Sequence, residues 1–285
     1  MSEEVTPRLT RPPGVSAREP RGLGGERSPL AIEAPLRLVP DDFDPTKRRG
    51  KARSRVRQYV VHMTGSGIVS KAIKAGRDVV SECLRYYAGN PTSSHYLIGY
   101  DGTIYWLTSE LIRVGHVGVE ASERRAYHSG AWARGIAVQT SRGLEGPVST
   151  GAVDQWRRAW PGRESPMDLV LDGAGSINDL SVASEMPPAG VPRGGGRFDP
   201  LPGLELHAGT RHTRAQHEAV ARLAADLAYR WAWPDDWRSR SSARVLGHED
   251  VDLYGRADGV GGWDPGALRP TPRWNWGLAL GLHHP

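Results

Sequence analysis

Short apolar runs, each followed by a turn or a helical segment, constrain the fold of this chain more than any other feature of its sequence. Residues 59–61 (YVV) form such a run, which ends at His62 as a buried strand would. Residues 77–88 carry apolar side chains on one helical face and stop before Gly89-Asn90-Pro91. Two further apolar runs in SHYLIGYDGTIYWLT flank Asp101-Gly102, which is a strong signal for a β-hairpin.

The second half of the chain continues this alternation. The segment LSVASEM predicts a strand, and ARVLGHEDV predicts another that ends near His248. Between them, Thr213 and Gln216 have the spacing of a capping box, and the apolar residues that follow recur with the period of a helix. Strands alternating with helices in this way are typical of an α/β protein.

Composition divides the chain into a leader and one domain. Residues 1–55 are rich in Pro, Arg, Glu and Gly, and we interpret them as a mostly disordered leader in which IEAPLRLVP docks on the domain. The basic run KRRGKARSRVR is interpreted as a solvated linker. Residues 56–285 form the domain, and within it residues 120–175 show little periodicity and predict a loop-rich insertion with short helices. The segment PPAGVPRGGGRFDPLPG is a further predicted loop.

The overall composition excludes several classes of protein. A mean hydropathy of -0.49 is typical of a soluble protein, and no segment approaches the roughly 20 apolar residues of a membrane helix, so we expect no membrane insertion. The first residues lack the apolar segment of a secretory signal. The net charge is +5, but the arginines are scattered and no nucleic-acid-binding motif is present, so we expect no nucleic-acid partner. The single cysteine, Cys83, excludes an internal disulfide and is expected to be a small core residue.

Three segments place residues that can bind a metal after a strand or in a tight turn. His62 in VVHMT and His248 in LGHEDV both follow short strands, and Asp264 lies in the turn of GGWDPG. With one cysteine in the chain, a metal site has to use histidine and carboxylate. Two imidazoles and one carboxylate leave a fourth tetrahedral position for water, as in catalytic zinc sites. A single histidine after a strand is more often an ordinary hydrogen-bonded residue, so this interpretation depends on the three segments together.

These three segments, with SHYLIGYDGTIYWL, RVGHVGV and INDLSVASEM, resemble in order the motifs of the zinc-dependent N-acetylmuramoyl-L-alanine amidases. That family is related in fold to phage amidase lysozymes and animal peptidoglycan recognition proteins. The resemblance runs from about Gln58 to Trp276 and covers residues 120–175 poorly. It implies a central mixed β-sheet flanked by helices, Zn²⁺ as cofactor, and hydrolysis of the amide between N-acetylmuramic acid and L-alanine in bacterial peptidoglycan.

The resemblance also assigns the metal ligands. His62, His248 and Asp264 match the family's two histidines and the carboxylate of its Asp-Pro-Gly turn, where some members have cysteine. The chain between His248 and Asp264 is longer than in compact members. Three acidic residues in this stretch therefore remain rival third ligands: Asp250, Asp252 and Asp258.

The family's catalytic glutamate matches Glu185 at the end of INDLSVASEM. The segment GIAVQT would place Gln139 there instead, and a glutamine cannot accept a proton. His116 in VGHVG matches a histidine near the substrate, with His128 in AYHSG as a rival. His95 is expected to be structural.

Two auxiliary groups found in some members are missing from this chain. A lysine two residues before the ligand aspartate is replaced by Gly262, and a tyrosine before the hairpin histidine is replaced by Ser94. We therefore expect Glu185 to carry more of the proton transfer, first as base and then as acid.

Other functions remain open at this point. One is a module that holds peptidoglycan without cutting it, and another is a zinc hydrolase of the same fold that acts on a different amide. The insertion's Trp132, Trp156 and Trp160 either stack on sugar faces as one wall of the substrate groove or pack the insertion onto the domain. We expect a monomer that acts on the cell wall, and the absence of a visible signal leaves a phage-type lysin or a delivered effector as the expected settings.

Overall fold

A central β-sheet with helices on both faces forms the core of the chain. The computed structural model describes residues 25–35, 51–90, 94–192, 198–256, 264–265 and 274–282. The strands are β1 (Ala31–Glu33), β2 (Gln58–Met63), β3 (Tyr96–Ile98), β4 (Ile104–Trp106), β5 (Val138–Thr140), β6 (Gly143–Glu145), β7 (Ser181–Met186), β8 (Gly190–Pro192), β9 (Phe198–Pro200) and β10 (Val245–Gly247). The helices are α1 (Ser66–Lys74), α2 (Val79–Gly89), α3 (Ala121–His128), α4 (Thr150–Ala159), α5 (Arg214–Arg230), α6 (His248–Val251), α7 (Leu253–Arg256) and α8 (Trp276–Ala279), with short 3₁₀ turns between them.

The central sheet has six strands in the order β1-β4-β3-β7-β2-β10. Strands β3 and β4 are antiparallel, and the other neighbours are parallel, so the predicted mixed α/β sheet is confirmed. The predicted hairpin at Asp101-Gly102 joins β3 to β4. Gly102 has a φ of 80°, and a Cβ atom there would lie 2.7 Å from the carbonyl oxygen of Ala215, so only glycine fits where the hairpin meets α5.

Strand β2 lies between β7 and the edge strand β10 and has no exposed residue. A strand that is covered on both faces is expected to be a continuous apolar run, as residues 59–61 are. Tyr59 and Val61 pack with α5, whereas Val60 packs with the insertion on the opposite face. Because side chains alternate along a strand, His62 lies on the same face as Val60.

The insertion is more ordered than its composition predicts. It contains α3, α4 and the hairpin of β5 and β6. Trp132, Trp156 and Trp160 are at most 1% exposed and pack in one cluster with Val60 and Leu246. Of the two roles considered for these tryptophans, packing is the one that the structure shows, and their rings are not available to a sugar. Removing a buried ring of this size costs about 3–5 kcal/mol.

The described part of the leader packs on the domain. Strand β1 pairs with β4, so the predicted docking of IEAPLRLVP is confirmed for its first residues. The backbone N–H of Ser28 donates to the hydroxyl of Tyr96 at 2.7 Å. Residues 1–24 and 36–50 lie outside the described residues, and the disorder expected of them stays a prediction.

One further expectation is corrected by the structure. Residues 187–203 were expected to be loop, but their described parts include the antiparallel pair β8 and β9, which is a correction; residues 193–197 lie outside the described residues. Among the described helices, none has the length and apolar character needed to cross a bilayer.

Candidate metal centre

The two predicted histidine ligands lie at one edge of the sheet. His62 is near the carboxyl end of β2, and His248 begins α6 directly after β10, the parallel neighbour of β2. The carboxyl ends of parallel strands meet at the same edge, where open α/β sheets bind their ligands. The two imidazole centroids are 4.4 Å apart, and both side chains are buried.

Asp264 joins these histidines from the far end of the chain. Its Oδ1 accepts a hydrogen bond from the backbone N–H of Met63 at 2.7 Å, and its Oδ2 lies 3.2 Å from Nδ1 of His248. One ligand atom from each of His62, His248 and Asp264 lies within 4.8 Å of the other two, so the three residues could hold one metal ion. Nitrogen and oxygen donors of this kind suit zinc. The described residues contain no other such group of three or more.

The rival acidic residues are placed differently. Asp250 is buried and accepts hydrogen bonds from Arg240 Nη2 at 2.9 Å and from the N–H of Gly247 at 2.8 Å. Asp252 Oδ2 lies 3.4 Å from Nε2 of His248, the ring nitrogen that faces away from Asp264. Asp258 lies outside the described residues. Neither described rival belongs to the group of three that converges on one point.

Glu185 lies beside the same group. It is the register partner of His62 in the neighbouring parallel strand β7, so both side chains are on the same face of the sheet. Its Oε2 accepts a hydrogen bond from Thr64 Oγ1 at 3.3 Å, and Thr64 Oγ1 accepts one from the Tyr87 hydroxyl at 3.3 Å. Burial, together with the charge of Glu185, raises the pKa of Tyr87 well above its usual value, so its hydroxyl keeps the proton that it donates.

The competing Gln139 is remote from this cavity. It is an exposed residue of β5 in the insertion, and its side-chain amide donates to the carbonyl of Thr140. Of the two alignments left open by the sequence, the one with Glu185 brings a carboxylate next to the histidines.

His116 also faces the centre. Its Nδ1 lies 3.0 Å from Nε2 of His62, and its Nε2 lies 2.8 Å from Ser181 Oγ. Burial, and then the nearby His248 and Arg53, lower the pKa of His116 well below its usual value, so the ring is neutral at pH 7. The rival His128 is exposed and lines a different cavity.

His95 is structural, as expected. It is fully buried, and its Nδ1 accepts a hydrogen bond from the N–H of Ala183 at 3.1 Å. Its Nε2 lies 3.0 Å from the carbonyl oxygen of Ile112. Burial, followed by Arg53 and His116, lowers the pKa of His95 well below its usual value, so the ring is a neutral hydrogen-bonding link between β7 and the loop at Ile112.

A cavity of about 420 Å³ opens over the three predicted ligands, and Glu185 and His116 line it too. Tyr86 of α2 lies on the wall of this cavity and is 49% exposed. Among the described residues whose exposure is known, it is the most exposed tyrosine or tryptophan. Sequence reasoning missed Tyr86, Tyr87 and Thr64. The apolar face of α2 was the available signal, because it includes Tyr87 and leaves Tyr86 pointing away from the core.

Comparison with known proteins supports the family resemblance. A family model described as N-acetylmuramoyl-L-alanine amidase matches residues 52–267, which is well over half of the chain. No curated protein and no solved structure matches the chain. The matched range contains all five predicted site residues, includes the insertion, and leaves strand β1 outside.

Proposed function

The chain belongs to the N-acetylmuramoyl-L-alanine amidase family, and from this premise we propose that it is a zinc-dependent enzyme that cuts the amide between N-acetylmuramic acid and L-alanine in peptidoglycan. The observation that carries the proposal is the convergence of His62, His248 and Asp264 within 4.8 Å, with a carboxylate on the same face of the sheet. A module that only binds peptidoglycan has no need of such a group. We propose the extracytoplasmic cell wall as the place of action.

His62, His248 and Asp264 would hold the metal, since neutral imidazoles and a carboxylate are the donors that zinc takes in hydrolases. When bound, zinc supplies Lewis acidity, which lowers the pKa of a bound water and polarises a carbonyl. The single cysteine does not belong to the group, because Cys83 is buried in the cluster formed with α1 and α2.

Glu185 would carry the proton transfers. Its carboxylate accepts a proton from the attacking water and then donates this proton to the leaving amine of L-alanine. Glu185 therefore ends the reaction in the ionised form in which it began. The hydrogen bonds from Tyr87 to Thr64 and from Thr64 to Glu185 orient this carboxylate. His116, neutral and 3.0 Å from His62, would contact the reacting part of the substrate.

Mass spectrometry of digested peptidoglycan tests the proposal. The full chain should release stem peptides with a free L-alanine amino group, and a chelator should abolish the release. Glu185→Gln should keep its zinc but lose cleavage by about 10²–10⁴-fold. His62→Ala should lose zinc itself, measured by elemental analysis.

Glu164→Gln is the matched control, since Glu164 is exposed and lies in the insertion, away from the cavity. It should behave as the parent protein does. A parent protein that binds peptidoglycan with a full equivalent of zinc but releases no peptide would overturn the enzyme proposal. Near-normal cleavage by Glu185→Gln would remove Glu185 as the base.

A further inference from the structure

The segment INDLS, which leads into β7, makes contacts that the proposed reaction does not use. Asn178 and Ser181 of this segment are both buried, and both hold the stretch of chain that carries His116. Oδ1 of Asn178 accepts a hydrogen bond from the N–H of Val117 at 3.0 Å, and Nδ2 donates to the carbonyl oxygen of Val117 at 2.8 Å. One buried amide therefore binds both backbone polar groups of the residue that follows His116.

Ser181 fixes the direction of a hydrogen bond to His116. Its Oγ lies 2.7 Å from the carbonyl oxygen of Ile177, which can only accept, so the hydroxyl donates its proton there. The same Oγ lies 2.8 Å from Nε2 of His116. Because a hydroxyl has a single proton, this second hydrogen bond has to run the other way, and Nε2–H of His116 donates to Oγ.

The same reasoning continues from His116 to His62. The ring of His116 is neutral, so with its proton on Nε2 it has a lone pair on Nδ1. Nδ1 lies 3.0 Å from Nε2 of His62. Two lone pairs at this distance would repel each other, so Nε2 of His62 carries a proton and donates it to His116. In the neutral form that a metal requires, His62 then has its lone pair on Nδ1.

We propose that His116 and Ser181 are positioning residues for the predicted metal ligand His62. Three hydrogen bonds run in one direction, from His62 to His116, from His116 to Ser181, and from Ser181 to the carbonyl oxygen of Ile177. They select the tautomer of His62 that can bind a metal through Nδ1, and they restrict rotation of its ring. The inference rests on the proposed function for the metal alone and does not depend on the substrate.

This arrangement differs from the usual surroundings of a ligand histidine. The second ring N–H of such a histidine is usually donated to a carboxylate, a backbone carbonyl or water, whereas here it is donated to another imidazole. Both nitrogens of His116 take part in these hydrogen bonds, so its ring carbon atoms are left for contact with the substrate. Because β7 also carries Glu185, one stretch of sequence would set both the base and the orientation of a metal ligand.

Nuclear magnetic resonance of the full chain with isotope-labelled histidines tests the hydrogen-bond directions. Long-range proton–nitrogen correlations show which ring nitrogen carries the proton, and the signals are assigned by their loss in His62→Ala and His116→Ala. In the zinc-loaded and in the chelator-treated chain, both rings should be protonated at Nε2 alone. A proton on Nδ1 of either ring would overturn the proposal, and this measurement does not depend on how a variant folds.

Zinc affinity, measured by competition with a chromophoric chelator, tests the effect on the metal site. His116→Ala removes the acceptor for His62 and should lower the affinity about 10–100-fold. His116→Asn should restore part of the loss, because its side-chain oxygen can accept near the position of Nδ1. Ser181→Ala should lower the affinity by a smaller factor. It should have no further effect in a His116→Ala background, since it acts through His116.

His128→Ala is the matched control, because His128 is exposed and does not line the metal cavity. Its zinc affinity should equal that of the parent protein, and urea unfolding with a chelator present verifies that each variant is folded. Parent-like affinity in a folded His116→Ala would overturn the proposal. An affinity of His116→Asn no higher than that of His116→Ala would also overturn it, since the loss would then come from packing.

The outcomes separate this inference from the proposed function. A parent protein that shows the expected tautomers and zinc affinities but releases no stem peptide would reject the proposed enzyme and leave the positioning role standing. A parent protein that cleaves peptidoglycan with zinc while Nδ1 of His62 carries the proton would reject the positioning role alone. A parent protein without affinity for zinc would reject both.

Discussion

At the scale of single residues, two carboxylates lie close to the two different ring nitrogens of His248. Asp264 lies near Nδ1 of His248, and Asp252 lies near Nε2. Histidines that bind metals usually donate their second ring N–H to a carboxylate, which fixes the tautomer and makes the ligand nitrogen more basic. Asp252 is itself held by the N–H of Gly255 at 2.9 Å, and a Cβ atom at position 255 would lie 2.7 Å from its carboxylate. The rival ligand Asp252 is thus better explained as the residue that orients His248.

Replacement of this carboxylate should weaken metal binding without removing a ligand. We predict that Asp252→Asn lowers zinc affinity about 10–100-fold, the usual effect of changing a residue behind a ligand histidine. Competition with a chromophoric chelator measures the affinity. Asp236→Asn, at an exposed position of a 3₁₀ turn, should leave it unchanged. If Asp252 were instead a direct ligand, the zinc content of Asp252→Asn would fall towards that of His62→Ala. If Asp252→Asn bound zinc as tightly as the parent protein, Asp252 would have no part in the site.

Sequence patterns predicted which side chains come together better than how those side chains are oriented. His62 and His248 could be placed together because each follows an apolar run that marks a strand, and parallel strands bring such ends together. Glu185 was assigned by the family resemblance, and the structure places it beside His62 in the neighbouring strand. Ring orientation depends on contacts between segments far apart in the chain, so the distinction between Asp252 and Asp264 could not be read from spacing. The burial of Trp156 could not be read either, since the ring packs against residues far away in the chain and its Nε1 donates to the carbonyl of Asp250 at 2.8 Å.

At the scale of elements, the N-terminal end of α5 meets the C-terminal segment through stacked rings. His217 stacks on Trp274 with centroids 4.0 Å apart, and its Nδ1 donates to the carbonyl oxygen of Thr213 at 2.9 Å. Its Nε2 accepts a hydrogen bond from the N–H of Asn275 at 3.3 Å. Burial is the main cause that lowers the pKa of His217 to about 4. The ring is therefore neutral at pH 7 and fits this contact only in the neutral form.

This contact should make the stability of the protein depend on pH. The pKa of His217 is lower in the folded state than the 6.5 of an unperturbed histidine, so the unfolded chain binds more protons between these values. Its stabilising contribution is complete above about pH 6.5 and falls by about 3 kcal/mol as the pH approaches 4. We predict that His217→Gln loses less stability than the parent protein over this range.

Urea unfolding at several pH values, with a chelator present so that metal ligands do not contribute, measures the effect. His128→Gln is the matched control, because it replaces an exposed histidine that has no part in the contact with Trp274. Parallel curves for the parent protein and His217→Gln would show that the ring does not titrate differently on folding.

The elements that sequence reasoning missed lack a strong local signal. Helix α1 begins among glycine and serine residues. Its N-cap is Gly65, which has no side chain that could accept a capping hydrogen bond. Strands β1, β8 and β9 have three residues each and follow proline-rich or glycine-rich sequence, so only their pairing partners define them. Helix α5 was predicted well because its capping box and its apolar period agree.

At the scale of the whole molecule, the sheet separates the site from the leader. The predicted metal ligands lie on or next to β2 and β10, the last two strands in the order of the sheet. Strand β1 is the edge strand at the opposite end of that order. The described leader residues still make specific contacts there. The carbonyl oxygen of Glu26 accepts from the N–H of Glu110 at 2.7 Å, the Arg27 guanidinium lies 4.9 Å from the centroid of Trp106, and Ala31 is buried in the core with α5.

Removal of the leader should therefore lower stability and leave the chemistry intact. We predict that deletion of residues 1–35 lowers the free energy of unfolding by about 2–3 kcal/mol, since it removes several hydrogen bonds of about 1 kcal/mol each and a cation–π contact, partly offset by the entropy of the released segment. Zinc content and the rate of peptidoglycan cleavage at low temperature should stay close to those of the full chain.

Deletion of residues 1–24 is the control, because it keeps every described contact of β1 and should leave stability unchanged. Loss of zinc or of cleavage in a folded 1–35 deletion would show that the two sides of the sheet are coupled, whereas equal stability of both deletions and the full chain would show that β1 contributes no net stabilisation.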